Sequence, residues 1–531
     1  MSNSQPIPCQ DIFPITWTLL PEPVKSEILE NQLAPKDIPA RIEDLQDALP
    51  GYLVDLAGLE LAVHETARQV LTEKATASLD INPHLQIFCP SWKNLPELVK
   101  AGSLEAAAQP EPGQDRVLVW PQTRTPKVRV RSARPRDLLA LKIAAEGLSP
   151  AETARDYGYP VFQILAFLQE AKAEGLLEGP ISSIRRKPEY VEVQEPWARD
   201  YQEAGIFTLQ WHVTQACDLH CRHCYDRSSR SYLDLDKALR ILEGFTDFCA
   251  RRRVRGQVSF SGGNPLLYPE FQTLYRAAAQ GGLITAVLGN PAEREMLERL
   301  AAIQRPAFYQ ISLEGLRAHN DWIRQPGHFQ RSLDFLSLLR EMNIPSRVML
   351  TLTEANLDQV LPLAEMLRDK VDRFTFNRLS LVGEGAFLRL PAPENYQKFL
   401  GDFLDAAKSN PVIGLKDNLF NVVLHEHGQP LFGGCTGFGC GAAFNFVSLL
   451  PDGEVHACRK FPSYLGNVFE HTFDDIYDGP QARAYRAGPA ACRDCSISPV
   501  CRGCLAVVHS LGLDVSTDRD PFCPLPTDRS R

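Results

Sequence analysis

Between residues 205 and 392, short apolar segments alternate with amphipathic stretches. The apolar segments predict strands at Ile206–Val213, Val258–Ser261, Thr285–Leu288, Phe308–Leu313, Arg347–Leu352 and Phe374–Leu379. The first intervening helix is expected from Asp234 to Ala250. Such alternation indicates parallel strands joined by right-handed crossovers, with functional groups gathered at the carboxyl ends of the strands. We therefore expect an α/β domain, a partial (β/α)6 barrel like that of TIM-type folds.

The first 204 residues follow other patterns. Residues 1–110 hold helical patterns separated by proline-bearing breaks and predict a mainly helical region of unknown role. Residues 111–180 predict an α+β winged-helix-like module, a candidate peptide-recognition domain, with residues 181–204 as a charged, proline-bearing linker. The elements of this module are expected at Arg116–Trp120 and Lys127–Val130 for the strands and Arg136–Glu146, Pro150–Tyr157 and Val161–Gly175 for the helices.

The chain changes character again after the barrel. Residues 393–424 are expected to form a helical bridge, and residues 425–531 are rich in cysteine, glycine and proline with little periodicity. This composition is typical of a domain whose fold is fixed by metal rather than by a large apolar core. We therefore expect a metal-dependent C-terminal domain.

Composition places the chain among ordinary globular proteins. Its 531 residues are too many for one hydrophobic core and predict about three or four domains. The balance of 44% hydrophobic and 23% charged residues is typical of a globular protein. No stretch approaches the roughly 20 apolar residues of a membrane helix, and the N-terminus lacks the features of a secretory signal. The formal net charge of −9 gives no reason to expect a nucleic-acid partner. We expect a cytoplasmic protein with no membrane partner.

Cysteine usage changes this picture. Fourteen cysteines in a reducing compartment are not expected to form disulfides, so grouped ones indicate metal ligands. Cys9, Cys89 and Cys249 are isolated and are expected to be buried structural thiols. The other eleven fall into a tight run after the first predicted strand and a second group in the last hundred residues.

The tight run consists of Cys217, Cys221 and Cys224. Three thiolates bind three irons of a 4Fe–4S cluster and leave the fourth iron open, whereas a structural zinc site normally closes with four ligands. An open iron can bind S-adenosylmethionine (SAM), and an electron passed into the sulfonium then releases a 5′-deoxyadenosyl radical. A partial zinc site is the alternative for these three residues taken alone.

The Cys-x3-Cys-x2-Cys spacing resembles the signature of the radical SAM superfamily. His223 stands where that family usually has an aromatic residue, with Tyr225 placed just after the run. The segment from Ser261 to Pro265 resembles the family's Gly-Gly-Glu-Pro turn, with Asn264 in place of glutamate, and Ser312-Leu-Glu-Gly315 resembles its Ser-Leu-Asp-Gly segment. The resemblance implies that the glycine turn contacts the methionine end of SAM and that Ser312 contacts the ribose. The implied SAM-binding residues are Tyr225, Gly262, Gly263, Asn264 and Ser312.

The C-terminal cysteines resemble a SPASM domain, which carries two auxiliary 4Fe–4S clusters. By this resemblance the first auxiliary cluster takes Cys435, Cys440, Cys458 and Cys504. The second takes Cys492, Cys495, Cys501 and Cys523. The gap before Cys504 is two residues where the family usually has three, and a zinc ribbon is the alternative for the four cysteines from 492 to 504. Three 4Fe–4S clusters and SAM are thus the expected cofactors.

A recognition module, a radical barrel and an electron-handling domain together predict an enzyme that modifies a ribosomally made peptide. The sequence around Cys217 most resembles thio(seleno)oxazole, or selenobiotic-type, maturases, which implies modification at Cys or selenocysteine. The expected partners are a precursor peptide, held by strand addition, and an electron donor such as flavodoxin or ferredoxin. The basic run Arg129, Arg131, Arg134 and Arg136 favours either an acidic leader or a plain solvated face.

Three alternatives remain from the sequence. Formylglycine formation, as in anaerobic sulfatase maturases, and thioether formation, as in sactipeptide enzymes, use the same radical. A DNA-binding iron–sulfur redox sensor belongs to another class, with the winged-helix-like module reading an operator.

Overall fold

The structure of the chain is a computed structural model. It describes residues 8–45, 47–68, 79–105, 108–121, 127–148, 150–159, 161–179, 182–187, 190 and 196–525. The chain divides into two compact units, Met1–Ile181 and Ser182–Arg531, called here unit 1 and unit 2. Over the described ranges, no helix combines the length and apolar character that crossing a bilayer requires.

Unit 1 combines helices with a small antiparallel sheet. Its helices are α1 Cys9–Ile12, α2 Pro14–Leu19, α3 Glu22–Glu30, α4 Ile38–Glu43, α5 Leu53–Ala67, α6 Leu95–Ala101, α7 Pro135–Glu146, α8 Pro150–Asp156 and α9 Val161–Glu174. Its strands are β1 Asp80–Ile81, β2 Gln86–Phe88, β3 Trp92–Lys93, β4 Glu111–Pro112, β5 Val117–Pro121, β6 Val128–Ser132 and β7 Leu177–Glu178. The three-stranded sheet has the order β2-β5-β6.

The central strand β5 is buried on both faces. Val117 and Val119 pack with the N-terminal helices, while Leu118 and Trp120 pack with α7, α8 and α9. This division follows from the alternation of side chains along a strand. Because β2 pairs with β5, the regions expected as 1–110 and 111–180 share one sheet.

The basic run of unit 1 forms ion pairs within the unit. Arg131 Nη1 lies 2.6 Å from Asp137 Oδ2, and Arg134 Nη2 lies 2.8 Å from both Asp137 Oδ1 and Glu174 Oε1. Arg136 pairs with Glu170 at 3.0 Å. These contacts give three of the four arginines a structural partner, which weakens the case for an acidic leader bound by this run.

Asp137→Asn is expected to loosen this part of unit 1. Burial opposes ionisation of Asp137, but hydrogen bonds from Arg134 and Arg131 outweigh it and lower its pKa. A lowered carboxyl pKa stabilises the fold at neutral pH, and this contribution fades as the pH falls below about 4. Hydrogen exchange over residues 128–174 should be faster in the variant at pH 7. Asp156→Asn, an exposed position, is the control, and equal exchange in both variants would contradict the assignment.

Unit 2 is built on one large sheet. Its helices are α10 Leu235–Arg252, α11 Phe271–Gln280, α12 Arg294–Ile303, α13 Arg317–Arg324, α14 His328–Glu341, α15 Val360–Met366, α16 Pro393–Ser409, α17 Phe420–Glu426, α18 Phe473–Asp478, α19 Pro480–Ala487 and α20 Leu505–Ser510. Its strands are β8 Ile206–Thr214, β9 Arg255–Gly262, β10 Ile284–Leu288, β11 Tyr309–Ser312, β12 Ser346–Leu352, β13 Arg373–Arg378, β14 Phe446–Leu449, β15 Glu454–His456 and β16 Tyr464–Asn467.

The strand order is β13-β12-β11-β10-β9-β8-β14-β15-β16. The six strands from β8 to β13 are parallel neighbours in sequence order, which confirms the predicted α/β class with its central parallel sheet. The far edge of β8 pairs in parallel with β14, and β15 and β16 follow as antiparallel strands. The cysteine-rich region therefore continues the same sheet.

Two sequence expectations differ from the structure. Of the linker expected at residues 181–204, the described residues 182–187, 190 and 196–204 belong to unit 2, because Ile184 and Ala204 are fully buried in its core and Arg186 is 6% exposed. Of the isolated cysteines, Cys249 is buried as expected, Cys9 is half-buried and Cys89 is exposed. Cys89 follows directly on β2, and its exposure means that it is no core thiol.

Candidate active site

Cys217, Cys221 and Cys224 lie in the loop that follows β8. β8 ends at Thr214, and Cys217 comes three residues later. Asn290, after β10, reaches into this loop: its Nδ2 lies 3.7 Å from Cys217 Sγ and 2.6 Å from Asp218 Oδ1. Burial raises the pKa of the Cys217 and Cys221 thiols. The structure thus places the three cysteines at the carboxyl edge of the parallel sheet, where the sequence predicted them.

The glycine turn after β9 packs against the start of this loop. Gly263 N donates to Thr214 O at 2.9 Å, and Asn264 N donates to Ala216 O at 2.7 Å. A Cβ on Gly262 would lie 2.2 Å from Thr214 O, and one on Gly263 would lie 2.3 Å from Ala216 O. Glycine is therefore required here by the close approach of the cysteine loop itself. The Asn264 amide is also engaged, since it donates to Asp218 Oδ1 at 2.9 Å.

Gly263→Ala is expected to destabilise unit 2 by about 1–3 kcal/mol, because the added methyl group collides with backbone atoms that cannot rotate away. Gly401→Ala is the matched control. Gly401 lies inside α16 with open space around its Cβ position, so alanine there should be neutral or stabilising. Denaturant midpoints of the two variants test this, and equal midpoints would contradict the close approach.

Glu314, just after β11, connects three parts of the site. It is 1% exposed, and its Oε1 accepts from Arg324 Nη2 at 2.6 Å and lies 3.1 Å from His223 Nε2 in the cysteine loop. Its Oε2 accepts from Thr351 N on β12 at 2.7 Å. Burial opposes ionisation, yet the contacts with His223 and Arg324 outweigh it and lower the pKa of Glu314. A buried carboxylate thus positions the loop.

Ion pairs connect the cysteine loop with the C-terminal strands. Asp226, two residues after Cys224, accepts from Arg459, which follows Cys458. Burial opposes ionisation of Asp226, but hydrogen bonds from Ser228 and the charge of Arg459 lower its pKa to about 2. Arg230 pairs with Asp452 at 2.5 Å and with Glu454 at 2.9 Å. The two cysteine-bearing regions are therefore held together directly.

Two other sequence-predicted residues lie at this edge. Tyr225 has its ring 5.5 Å from the Arg459 guanidinium and 6.1 Å from the His212 ring, and burial raises its pKa. Ser312 is the half-buried last residue of β11, two residues before Glu314. Tyr225 thus lies near Arg459, and Ser312 precedes Glu314 by two residues in the chain. Arg459 and Glu314 both contact the cysteine loop.

The first C-terminal group of cysteines is brought together from three separate segments, since Cys435 and Cys440 share one loop. Lys460 lies within electrostatic range of Cys435, Cys458 and Cys504, and Cys440 interacts with Cys435 and Cys504. Asn418 holds two of these segments, because its Oδ1 accepts from Cys435 N at 2.7 Å and its Nδ2 donates to Gly503 O at 2.5 Å. The structure therefore groups the cysteines that the sequence assigns to one cluster.

The second group surrounds a small cavity. Cys492, Cys495, Cys501 and Cys523 all line it, together with apolar residues that include Leu419, Val422 and Ile497. Cys440 N donates to Cys501 O at 3.1 Å, so the two groups are adjacent. Among the described residues, no three Cys, His, Asp or Glu side chains converge closely enough to hold a single metal ion. A cluster of four irons is larger than one ion and is ligated by thiolates spread further apart.

Sequence reasoning missed several of these residues. Glu314 lies in the quoted Ser-Leu-Glu-Gly segment, so a motif was present, but only Ser312 was given a role from it. Asn418 and Asp226 carry no comparable signal, because their partners lie in distant segments of the chain.

Comparisons with known proteins agree with this geometry. A model of the radical SAM superfamily matches residues 211–367, and a model of the SPASM iron–sulfur cluster-binding domain matches residues 440–504. A crystal structure of Streptococcus suis SuiB bound to precursor peptide SuiA aligns with a TM-score of 0.50 and 16% identity, over 77% of this chain and 97% of that one. This likeness concerns the fold.

Curated relatives align over a little more than half of the chain. The AdoMet-dependent heme synthase of Methanosarcina barkeri is 24% identical, over 59% of this chain and 95% of its own. The subtilosin biosynthesis protein AlbA of Bacillus subtilis is 25% identical, over 55% and 65%. The mycofactocin maturase MftC of Mycobacterium ulcerans is 29% identical, over 59% and 87%. The chain is therefore an enzyme that contains a radical SAM domain at residues 211–367, which uses SAM and a 4Fe–4S cluster, followed by a SPASM domain at residues 440–504, which carries auxiliary clusters.

Proposed function

We propose that the chain cleaves SAM reductively and uses the resulting radical to modify a ribosomally made peptide at Cys or selenocysteine residues. Cys217, Cys221 and Cys224 would hold the radical cluster, which supplies the electron that breaks the sulfonium–C5′ bond of SAM. Cys435, Cys440, Cys458 and Cys504 would hold one auxiliary cluster, and Cys492, Cys495, Cys501 and Cys523 the other.

The observation that carries the cluster assignment is a set of cations beside the C-terminal cysteines, of which Arg186 and Arg502 are buried and Lys460 is half-buried. Arg186 donates to the carbonyl oxygens of Phe438 and Cys440, Arg502 to those of Arg486 and Tyr190, and Lys460 to that of Arg378. Carbonyl oxygens carry no full charge, so these contacts leave the cations unneutralised among the described residues. Anionic clusters ligated by thiolates would neutralise them.

The thiols themselves support the same assignment. Burial raises the pKa of Cys440 to about 11 and the pKa values of Cys458 and Cys492 to about 12. These thiols would stay protonated at neutral pH without a metal, whereas metal coordination deprotonates them. Cys492, Cys495, Cys501 and Cys523 line one cavity, and four thiols around one cavity fit a metal cluster better than a packed core.

For SAM, the proposal places Gly262, Gly263 and Asn264 at the methionine end and Ser312 at the ribose, with Tyr225 beside them. The contacts of this chain's residues support a positioning role. Asp218 holds Asn264 and Asn290 together at 2.9 and 2.6 Å, so the turn after β9 and the loop after β10 are fixed relative to Cys217. A preorganised pocket of this kind needs no rearrangement when SAM binds.

A peptide substrate is supported by two observations. Relatives with peptide-maturation names include AlbA, MftC and the sporulation killing factor maturation protein SkfB of Bacillus subtilis. In unit 1, β6 is a terminal strand of the sheet order β2-β5-β6, which offers an edge to which an extended leader peptide would add as a further strand. A precursor peptide is thus the proposed partner.

Electrons would come from a reduced flavodoxin or ferredoxin. Two arginines of the cysteine loop, Arg222 and Arg227, are exposed, and Arg227 Nε lies 4.0 Å from Glu384 Oε1. Arg227 donates to Cys221 O at 2.6 Å, and the Arg222 guanidinium lies 4.9 Å from the ring of the exposed Trp322. Such a surface favours encounter with an acidic donor protein.

The test uses the anaerobically reconstituted full chain with SAM and a chemical reductant. Synthetic cysteine-containing peptides are compared with the same peptides in which Cys is replaced by Ala, and both 5′-deoxyadenosine and peptide mass are measured. The proposal expects 5′-deoxyadenosine to rise and the peptide mass to change only when Cys is present. A mass change in the alanine peptides would contradict modification at Cys. Turnover with a tetrapyrrole and none with any peptide would contradict the substrate class, since three relatives are AdoMet-dependent heme synthases.

A further inference from the structure

Asp520 contacts segments from both C-terminal groups of cysteines. It is 1% exposed, and its Oδ2 accepts a hydrogen bond from Cys504 N, in the first group, at 2.9 Å. Its backbone carbonyl accepts from Cys523 N, in the second group, at 2.9 Å, and its Oδ1 accepts from Phe522 N at 3.0 Å. One residue thus fixes the backbone of a cysteine from each group.

The Asp520 carboxylate is held by an arginine from the parallel sheet. Arg378 is the last residue of β13, and its side chain has no exposed surface. Its Nη1 and Nη2 donate to Asp520 at 2.9 and 2.5 Å, and its Nε donates to Asp417 Oδ2 at 2.8 Å. The three side chains carry two negative charges and one positive charge, and Lys460, which donates to Arg378 O at 3.3 Å, adds a second positive charge beside them.

A glycine leaves the space that the Asp520 side chain occupies. Gly503, between Arg502 and Cys504, has φ of +60°, and a Cβ there would lie 2.4 Å from Asp520 Cβ. The Tyr396 and Phe522 rings lie 5.2 and 5.4 Å from the Arg378 guanidinium and exclude water from it. Charges in such a dry environment act over longer distances than charges in water.

Asp520 and Asp417 differ in the cysteine groups that they contact. Asp520 lines the cavity that the second group of cysteines surrounds, and it also contacts Cys504 of the first group. Asp417 accepts from Leu419 N at 2.9 Å and interacts electrostatically with Cys504, but it does not line that cavity. The two carboxylates share one arginine and provide matched substitutions.

We propose that Asp520 is a positioning residue shared by the two auxiliary cluster sites, and that its buried charge sets the reduction potentials of both clusters. This inference rests on the cluster assignment made above. Net charge and hydrogen bonding near an iron–sulfur cluster shift its reduction potential, and a nearby negative charge disfavours the reduced, more negative form. Removal of the Asp520 charge should therefore raise both potentials.

The experiment is a redox titration followed by electron paramagnetic resonance. The background carries Ala at Cys217, Cys221 and Cys224, so that only the two auxiliary clusters contribute. In this background Asp520→Asn is expected to raise both midpoint potentials, whereas Asp417→Asn is expected to raise one. Asp405→Asn, on the exposed face of α16, should move neither.

The outcomes separate this inference from the cluster assignment. A background protein that binds no iron would overturn the cluster assignment itself. With about eight irons bound, unchanged potentials or a single changed potential in Asp520→Asn would overturn the role of Asp520. If Asp520→Asn does not retain iron, Asp417→Asn decides: one raised potential supports the proposal, and two raised potentials contradict it by showing a general charge effect.

Discussion

Replacement of Cys217, Cys221 and Cys224 by alanine is expected to abolish 5′-deoxyadenosine formation completely and to lower bound iron from about twelve to about eight per chain. The three residues are the only thiols in the loop after β8. Loss of all three would leave Asn290, Asp218 and the glycine turn in place but without a ligand for iron. Iron counting and dithionite-driven SAM cleavage, both under anaerobic conditions, measure the two effects.

Cys89→Ala provides the control for the triple variant. Cys89 is exposed in unit 1, so its loss should leave iron content and SAM cleavage unchanged. Iron near four together with bound zinc in the wild type would contradict the auxiliary clusters, and SAM cleavage that survives the triple substitution would contradict the radical site.

Glu314→Gln is expected to lower the free energy of unfolding of unit 2 by about 3–5 kcal/mol. The glutamate neutralises Arg324, which is 10% exposed, and its loss leaves a buried cation without its partner. The substitution also removes the negatively charged carboxylate that lies next to His223 in the cysteine loop. The expected result is a lower denaturant midpoint together with slower SAM cleavage, because the loop is no longer held at β11 and β12.

Glu354→Gln makes the same chemical change at an exposed position near the start of the segment after β12. Its denaturant midpoint should match that of the wild type, since exposed charges contribute little to stability. If Glu314→Gln and Glu354→Gln unfold at the same midpoint, Glu314 does not have the connecting role assigned to it.

The parallel sheet was predictable because its signal is local. Each strand from β8 to β13 is a short apolar segment between amphipathic helices, and the expected segment Arg347–Leu352 corresponds to β12 at Ser346–Leu352. The segment after Ile181 was not predictable in the same way. Its charged, proline-bearing composition is typical of a linker, and only the buried contacts of Ile184 and Arg186 reveal that it packs against unit 2.

The cysteines of the site were predictable from spacing, but the residues that hold them were not. Cys504 departs from the usual gap, yet it lies within electrostatic range of Cys440 and Cys458. Asp520 reaches Arg378 across 142 positions of the chain, and no local pattern records such a pairing. Ligand types can be recognised from a sequence motif, whereas their supports depend on tertiary contacts.

The pairing of β14 with β8 limits how this protein can be divided or recombined. If the chain were cut before β14, β8 would lose its pairing with Phe446–Leu449 of β14. The exposed edge of β8 would then carry unpaired backbone hydrogen-bonding groups, which favour pairing with another chain. A SPASM domain transplanted from another enzyme would need a strand that matches the register of β8. Inheritance of the two modules as one piece is therefore favoured by backbone geometry, independently of the chemistry that each performs.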